Sequence, residues 1–200
     1  MEVKLLGHNK SLDEQAAALE SLLMRNRVFA EIFEKLPDFS LPTAYLGAGF
    51  VAQSVWNDLS GFPSLRAVKD VDIVYYDASD LSQEAEAEIE RMVRGGLARI
   101  PLEIEVKNQA RVHLWYEEYF GYPIEPYTSV EAGINSWPTT ATAIGIQNRS
   151  GKLKVYAPYG LNDLFGFVVR PNKSQITEKI YRNKAARWKA AWPELKIIPW

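Results

Sequence analysis

Two aspartates at the start of an apolar run constrain this chain most. Asp70 and Asp72 open the segment that continues through Val71, Ile73 and Val74, which has the composition of a β-strand. Alternate residues of a strand point to the same face, so the two carboxylates share a face, roughly 6–7 Å apart. Such a pair repels unless a cation lies between the carboxylates, and a hard ion such as Mg²⁺ is the typical occupant. The alternative is a solvated strand start or a turn, which an isolated Asp-x-Asp more often is.

A glycine-bearing turn precedes this strand. A short strand over residues 43–46 runs into Gly47-Ala48-Gly49, and residues 50–59 have helical periodicity. Glycine lets a ligand approach the backbone, and a helix N-terminus attracts phosphate. We therefore predict phosphate contacts at Gly47, Ala48 and Gly49, with a purely structural turn as the alternative. A dinucleotide-binding fingerprint is disfavoured, because it needs an acid at the end of the next strand and here the acids open it.

A third carboxylate is expected from a later strand. Residues 102–106 alternate between polar and apolar, which places Glu103 and Glu105 on one face. If this strand lies beside the first, one of the two glutamates meets the aspartate pair. Three carboxylates at one place are costly without a divalent metal, so their convergence indicates a metal site. Periodicity alone does not choose between Glu103 and Glu105.

Composition excludes several kinds of site. The chain has no cysteine, which removes disulfides and thiolate zinc sites, and its two histidines, His8 and His113, exclude a multi-histidine metal site. With 23 basic and 25 acidic residues there is no overall positive field, so nucleic acid is not a favoured partner. Leu5 and Leu6 are followed by polar residues and no long apolar run occurs, so we expect no signal peptide, no membrane association and a cytoplasmic protein.

The order of elements predicts an α+β fold with a small mixed β-sheet flanked by helices. We expect a single domain over residues 1–200, with N-terminal helices at about 11–36 and a C-terminal helix at about 175–191. A capping box at Ser11 and Glu14 begins the first helix, and Asn26 caps the second. Further predictions are a helix over 81–93 capped by Asp80, helices over 109–120, 129–136 and 161–168, and a hairpin pairing 140–147 with 152–156.

These motifs together resemble the DNA polymerase β-like nucleotidyltransferase superfamily, in particular its bacterial branch of uncharacterised nucleotidyltransferase-like proteins. The stretches that carry the resemblance are 69–77, 106–113 and 157–164, and it spans roughly residues 40–172. The resemblance implies a nucleotidyltransferase-like fold. It also implies transfer of a nucleoside monophosphate from an NTP to an unknown hydroxyl acceptor, by two-metal catalysis with Mg²⁺ or Mn²⁺.

The resemblance also implies roles for individual residues. Asp70, Asp72 and Glu105 would be the catalytic metal ligands, and it is the resemblance that selects Glu105 over Glu103. The turn at 47–49 would contact the β- and γ-phosphates. Ala48 departs from the superfamily, which has serine or glycine there, so no hydroxyl reaches a phosphate, and the spacing to Asp70 is longer than usual. The alternative is therefore a catalytically weak or inactive nucleotide-binding or partner-binding protein on the same fold.

Basic residues near these motifs are further candidates. Lys107 and Arg111 follow Glu105 closely and would bind phosphate, with ordinary surface charge as the alternative. His113 is more consistent with a packed side chain than with a general base. The basic, tryptophan-bearing C-terminal stretch would either bind a nucleic-acid backbone or dock as an amphipathic helix, and we favour docking. Its residues are Lys179, Arg182, Lys184, Arg187, Trp188, Lys189 and Trp192.

Overall fold

A computed structural model describes residues 6–200 and contains a five-stranded mixed sheet in the order β3-β2-β1-β4-β5. β2 and β3 are parallel, whereas the other neighbouring strands are antiparallel. The predicted α+β fold with a small mixed sheet flanked by helices is confirmed. The strands are β1 Tyr45–Gly47, β2 Asp70–Tyr75, β3 Glu103–Asn108, β4 Gly145–Arg149 and β5 Lys152–Tyr156, with a separate parallel pair formed by β6 Val168–Val169 and β7 Lys196–Ile197.

Helices flank this sheet, and two of them precede its first strand in the chain. Two 3₁₀ turns, Leu36–Phe39 and Gln109–Arg111, connect longer elements. The α-helices are α1 Leu12–Arg25, α2 Arg27–Lys35, α3 Ala48–Leu59, α4 Gln83–Gly96, α5 Val112–Phe120, α6 Val130–Asn135, α7 Asn162–Phe165 and α8 Glu178–Ala191.

The beginnings of the first two helices follow from local sequence. The Ser11 side chain accepts the Glu14 N–H at 3.3 Å, and the Glu14 carboxylate accepts the Ser11 N–H at 3.0 Å. Asn26 accepts the backbone N–H groups of Val28 and Phe29, which begins α2 directly after α1. Both predicted caps are therefore confirmed. Each cap stabilises its helix because it satisfies backbone donors that lack an intrahelical partner.

The main core lies on one face of the sheet, and a smaller buried cluster around Tyr45, Val74 and Ile134 covers part of the other face, beside the site. Val71 and Ile73 of β2 are fully buried against α3, whereas Asp70 and Asp72 alternate onto the opposite face. The C-terminal helix docks on the same core, because the Trp188 ring lies 5.9 Å from that of Trp56. The predicted docking of this helix through inward-facing tryptophans is confirmed.

Four local predictions are wrong. The hairpin begins later than predicted, since residues 140–144 form turns, and the helix predicted over 161–168 ends at Phe165, where the chain turns into β6. Ser82 rather than Asp80 caps α4, because Asp80 accepts the Ser82 N–H and positions it. A 3₁₀ turn capped by Asn108 precedes α5, so that helix begins at Val112. In each case the turn is made by side chains or backbone that compete with the regular element.

Within residues 6–200 no helix is both long and apolar enough to cross a bilayer. Leu5, on which part of the signal-peptide expectation rests, lies outside the described residues.

Candidate active site

Three carboxylates share the open face of the sheet. Asp72 and Glu105 are paired positions on the parallel strands β2 and β3, so their side chains leave the sheet on the same side. Together with Asp70 they line a cavity of about 480 Å³. Glu103, the other candidate, does not line it, because its side chain is exposed and lies 3.7 Å from Arg94 of α4. The structure thus brings Asp70, Asp72 and Glu105 into one cavity.

The carboxylates repel one another in this arrangement. Burial, followed by the charges of Asp70 and Glu105, raises the pKa of Asp72 to about 7. Burial and the charge of Asp70 also raise the pKa of Glu105. A raised carboxyl pKa shows that the charged form is disfavoured, and a bound cation reverses this preference. The electrostatics therefore favour a cation in this part of the cavity.

The donor set suits a hard divalent ion held together with a ligand. Carboxylate oxygens without nitrogen or sulfur donors are typical of Mg²⁺ and Mn²⁺ sites. Within residues 6–200 no group of three histidine, cysteine, aspartate or glutamate side chains is already arranged as a metal cluster. Mg²⁺ usually keeps several waters and binds through one or two carboxylates plus substrate phosphates. The carboxylates of this cavity fit that mode of binding, in which phosphate completes the site.

The glycine-bearing turn borders the same cavity. Gly47 precedes α3 without any side-chain cap, and Ala48 and Gly49 line the cavity. The Ala48 N–H donates to the Ile144 carbonyl at 3.2 Å, whereas the next N–H groups of this first turn lack an intrahelical acceptor. A Cβ at Gly47 would lie 2.3 Å from the Trp137 ring, so glycine lets Trp137 close this wall. Gly47 itself does not line the cavity, and the turn leaves the Gly49 N–H at the cavity without an intrahelical acceptor.

The two basic residues predicted beside Glu105 have different positions. Lys107 lines the cavity and lies 3.4 Å from Glu90 of α4. Arg111 does not line it: its guanidinium is buried, pairs with Glu86 and donates to the Leu81 carbonyl. The reason is that α4 packs over the end of β3 and brings a buried carboxylate to this arginine. Arg111 is therefore a packing residue rather than a cavity residue.

Two basic residues of the cavity were named in the sequence only as part of the basic C-terminal stretch, and were not predicted to join the carboxylates. Lys184 and Arg187 of α8 line it together with the carboxylates, although they are more than 75 residues away from Glu105 in the chain. Their spacing of three places them on one side of the helix, and the neighbouring Trp188 is buried in the core. Helical periodicity groups these residues, but only the packing of α8 against the sheet shows which basic residues face the cavity.

The other end of the cavity is uncharged and aromatic. α5 supplies a tight aromatic cluster in which Tyr116 and Phe120 have ring centroids 4.4 Å apart. Tyr119 is 78% exposed at the rim, so the cluster is open to solvent. This end of the cavity is lined by Val112, Trp115, Tyr116, Tyr119, Phe120, Tyr127, Trp137, Ile176 and Ile180.

Comparison with known proteins identifies the family. The model of a nucleotidyltransferase family matches residues 34–197, which include the glycine-bearing turn, the carboxylates and α8. The chain belongs to this nucleotidyltransferase family. The resemblance drawn from the sequence is confirmed at this level, and family and fold together support nucleotidyl transfer.

A solved structure has the same fold as this nucleotidyltransferase-family chain. It is an NMR structure described as revealing "a CCA-adding enzyme head domain", with a TM-score of 0.75 and 22% sequence identity. The alignment covers 98% of this chain and 100% of that one. At this identity the likeness shows the fold alone. No curated protein matches the sequence.

Proposed function

We propose that this protein transfers a nucleoside monophosphate from an NTP to a hydroxyl acceptor, with divalent metal held by Asp70, Asp72 and Glu105. The observation that carries the proposal is the position of these three carboxylates on one sheet face, in one cavity with the start of α3. Carboxylates and a helix N-terminus side by side suit a ligand that has both phosphates and bound metal.

We assign each residue of the cavity a role according to its position. Asp70 and Asp72 would hold the ion that binds the triphosphate, and all three carboxylates would hold a second ion near the acceptor. When bound, such ions supply positive charge that stabilises the leaving pyrophosphate and lowers the pKa of the acceptor hydroxyl. The first turn of α3, beginning with the Gly49 N–H, would donate backbone N–H groups to phosphate oxygens.

The transfer balances without any further reactant. A bond forms between the acceptor oxygen and the α-phosphorus, and the bond from that phosphorus to the pyrophosphate oxygen breaks. The hydroxyl proton passes to solvent, and pyrophosphate leaves. The protein positions the two reactants and offsets the negative charge of the phosphates, which is how enzymes accelerate phosphoryl chemistry.

The test is label transfer from nucleotides that carry a labelled α-phosphate. The protein is incubated with each of the four ribonucleotides, Mg²⁺ or Mn²⁺, and mixtures of RNA, protein and small hydroxyl compounds. We expect pyrophosphate release and labelled acceptor, reduced at least about 100-fold in Asp72→Asn. Calorimetric titration with NTP and Mg²⁺ gives a second readout, and equal heats for wild type and Asp72→Ala would remove the proposal.

A binding role is the second candidate on the same cavity. Ala48 offers no hydroxyl to a phosphate, and the carboxylates are not arranged as a metal cluster in advance. Both features suit a protein that holds a nucleotide, or a partner, without efficient turnover. Tight nucleotide binding with no label transfer to any acceptor would favour this role over the enzymatic one.

A further inference from the structure

We propose that Lys184 and Arg187 of α8 form an anion subsite for the triphosphate chain, on the wall of the cavity shared with Asp70 and Asp72. The subsite rests on the proposed function, because it binds the phosphates of the nucleotide that the carboxylates bind through metal. It assigns to the C-terminal helix a part in substrate binding that the glycine-bearing turn does not supply alone.

The packing of α8 fixes this wall of the cavity. Tyr181, Ala185 and Trp188 are buried at 1%, 2% and 4% exposure, so one face of the helix is held by the core. Lys184 and Arg187 lie next to these anchors in the sequence and line the cavity. The backbone that carries the two cations is therefore held in place before a ligand binds, which lowers the entropic cost of binding.

Lys184 and Arg187 also lack carboxylate partners of their own. Within residues 6–200 neither lies within 4.0 Å of a carboxylate, although Lys184 is half-buried. Other basic residues nearby are already engaged: Arg182 pairs with Glu178 at 2.6 Å, and Lys189 donates to two backbone carbonyls. An ammonium group withdrawn from water without a close partner costs free energy, which a phosphate ligand would offset.

The charge balance of the cavity gives these cations a role. Asp70, Asp72 and Glu105 line the cavity in which the nucleotide would bind. Their negative charges repel a triphosphate that arrives without its metal. Lys107 is shared with Glu90, so it offsets this repulsion only in part. Lys184 and Arg187 supply the remaining positive charge. Burial and the neighbouring Arg187 lower the pKa of Lys184, whereas the carboxylates across the cavity oppose this lowering.

A competing explanation is that Lys184 only neutralises the carboxylates. The two explanations differ in how binding depends on the number of phosphates. A lysine that contacts the β- and γ-phosphates raises the affinity for a triphosphate and has little effect on the affinity for a monophosphate. A neutralising lysine would affect all nucleotides alike, through the stability of the carboxylate face. The ratio of the two dissociation constants therefore separates the explanations.

The experiment measures Kd by calorimetry for ATP, GTP, CTP and UTP analogues with a non-hydrolysable α–β bond, for the matching monophosphates and for inorganic pyrophosphate, all in Mg²⁺. The variants are Lys184→Met, Lys184→Arg and Arg187→Met. Lys179→Met is the matched control, since Lys179 is an exposed lysine of the same helix that does not line the cavity. Thermal melting of each variant verifies that it folds.

For the nucleotide that binds best, we expect Lys184→Met to weaken triphosphate binding roughly 10- to 100-fold. Monophosphate binding should change by less than about threefold, Lys184→Arg should retain most of the affinity, and Lys179→Met should behave as wild type. Arg187 is exposed, so Arg187→Met keeps the test decisive if Lys184→Met fails to fold.

The outcomes also separate this subsite from the proposed function. An unchanged triphosphate Kd in both methionine variants, with Mg²⁺-dependent binding lost in Asp72→Asn, overturns the subsite and leaves the proposed function intact. Equal weakening for triphosphate and monophosphate overturns the subsite in favour of simple neutralisation. Absence of binding of every nucleotide to the wild-type protein overturns both proposals.

Discussion

Arg111 and Glu86 form a buried ion pair between α4 and the 3₁₀ turn that follows β3. The Glu86 carboxylate also accepts the Asn108 N–H at 2.8 Å, so it joins the helix to the strand. Removing one member of a buried pair leaves the other charge without compensation. We therefore expect Glu86→Gln to lower the free energy of unfolding by about 3 kcal/mol, measured by denaturant titration.

The matched control for this pair is Glu88→Gln. Glu88 lies on the same helix but is exposed, so its substitution should change the free energy of unfolding by less than about 0.5 kcal/mol. If Glu86→Gln is as stable as wild type but loses nucleotide binding, Arg111 acts on phosphate after all, and its assignment to packing is wrong.

The two glutamates of β3 give a sharp test of the site. Glu105 lines the cavity, whereas Glu103 has the same side chain two residues earlier and lies outside it. We expect Glu105→Gln to reduce nucleotidyl transfer about 100-fold or more, because a metal ligand is lost, and Glu103→Gln to leave it within twofold. The measurement is the initial rate of pyrophosphate release at saturating Mg²⁺. Comparable losses in both variants would show that the cavity does not define the catalytic carboxylates.

The choice between these glutamates shows where sequence reasoning reaches its limit. The alternation of β3 places Glu103 and Glu105 on one face, and that part is local. Which glutamate meets Asp72 depends on the register of two parallel strands, and this register is set by packing between distant segments. The family resemblance selects Glu105, and the structure places Glu105 in the cavity.

The positions of the basic residues also depend on packing that the sequence does not reveal. Arg111 is near Glu105 in sequence, but α4 covers it with a carboxylate that no local pattern links to it. Lys184 is distant in sequence, yet α8 brings it to the cavity. Caps such as Ser11 are predictable because donor and acceptor lie within one turn. Side chains that meet through tertiary packing have no such local signal.

The raised pKa of Asp72 predicts how stability depends on pH in the absence of metal. Its pKa of about 7 in the folded protein lies above the ordinary value for aspartate, so the folded state binds this proton more tightly than the unfolded state. The contribution of Asp72 to the free energy of unfolding therefore falls as pH rises from about 4 to about 7.

Asp72→Asn removes this titration and provides the measurement. Without metal, we expect the variant to gain stability over wild type as pH rises, reaching about 4 kcal/mol near pH 7. Denaturant titrations of both proteins at several pH values give the difference directly. A difference that stays constant from pH 4 to pH 8 would show that the charge of Asp72 is not disfavoured in the folded protein.

Ala48 adopts a left-handed backbone conformation at the beginning of α3. Its φ is 48°, a region that costs residues with a Cβ roughly 1–2 kcal/mol and costs glycine almost nothing. Glycine also loses more entropy on folding, which offsets part of the gain. We expect Ala48→Gly to raise the free energy of unfolding by about 0.5–1 kcal/mol. Ala52→Gly, one turn later in the helix interior, should lower it by about 1 kcal/mol or more. Equal destabilisation by both substitutions would show that Ala48 is not strained, whereas the expected opposite signs would mean that this turn keeps a costly conformation beside the carboxylates.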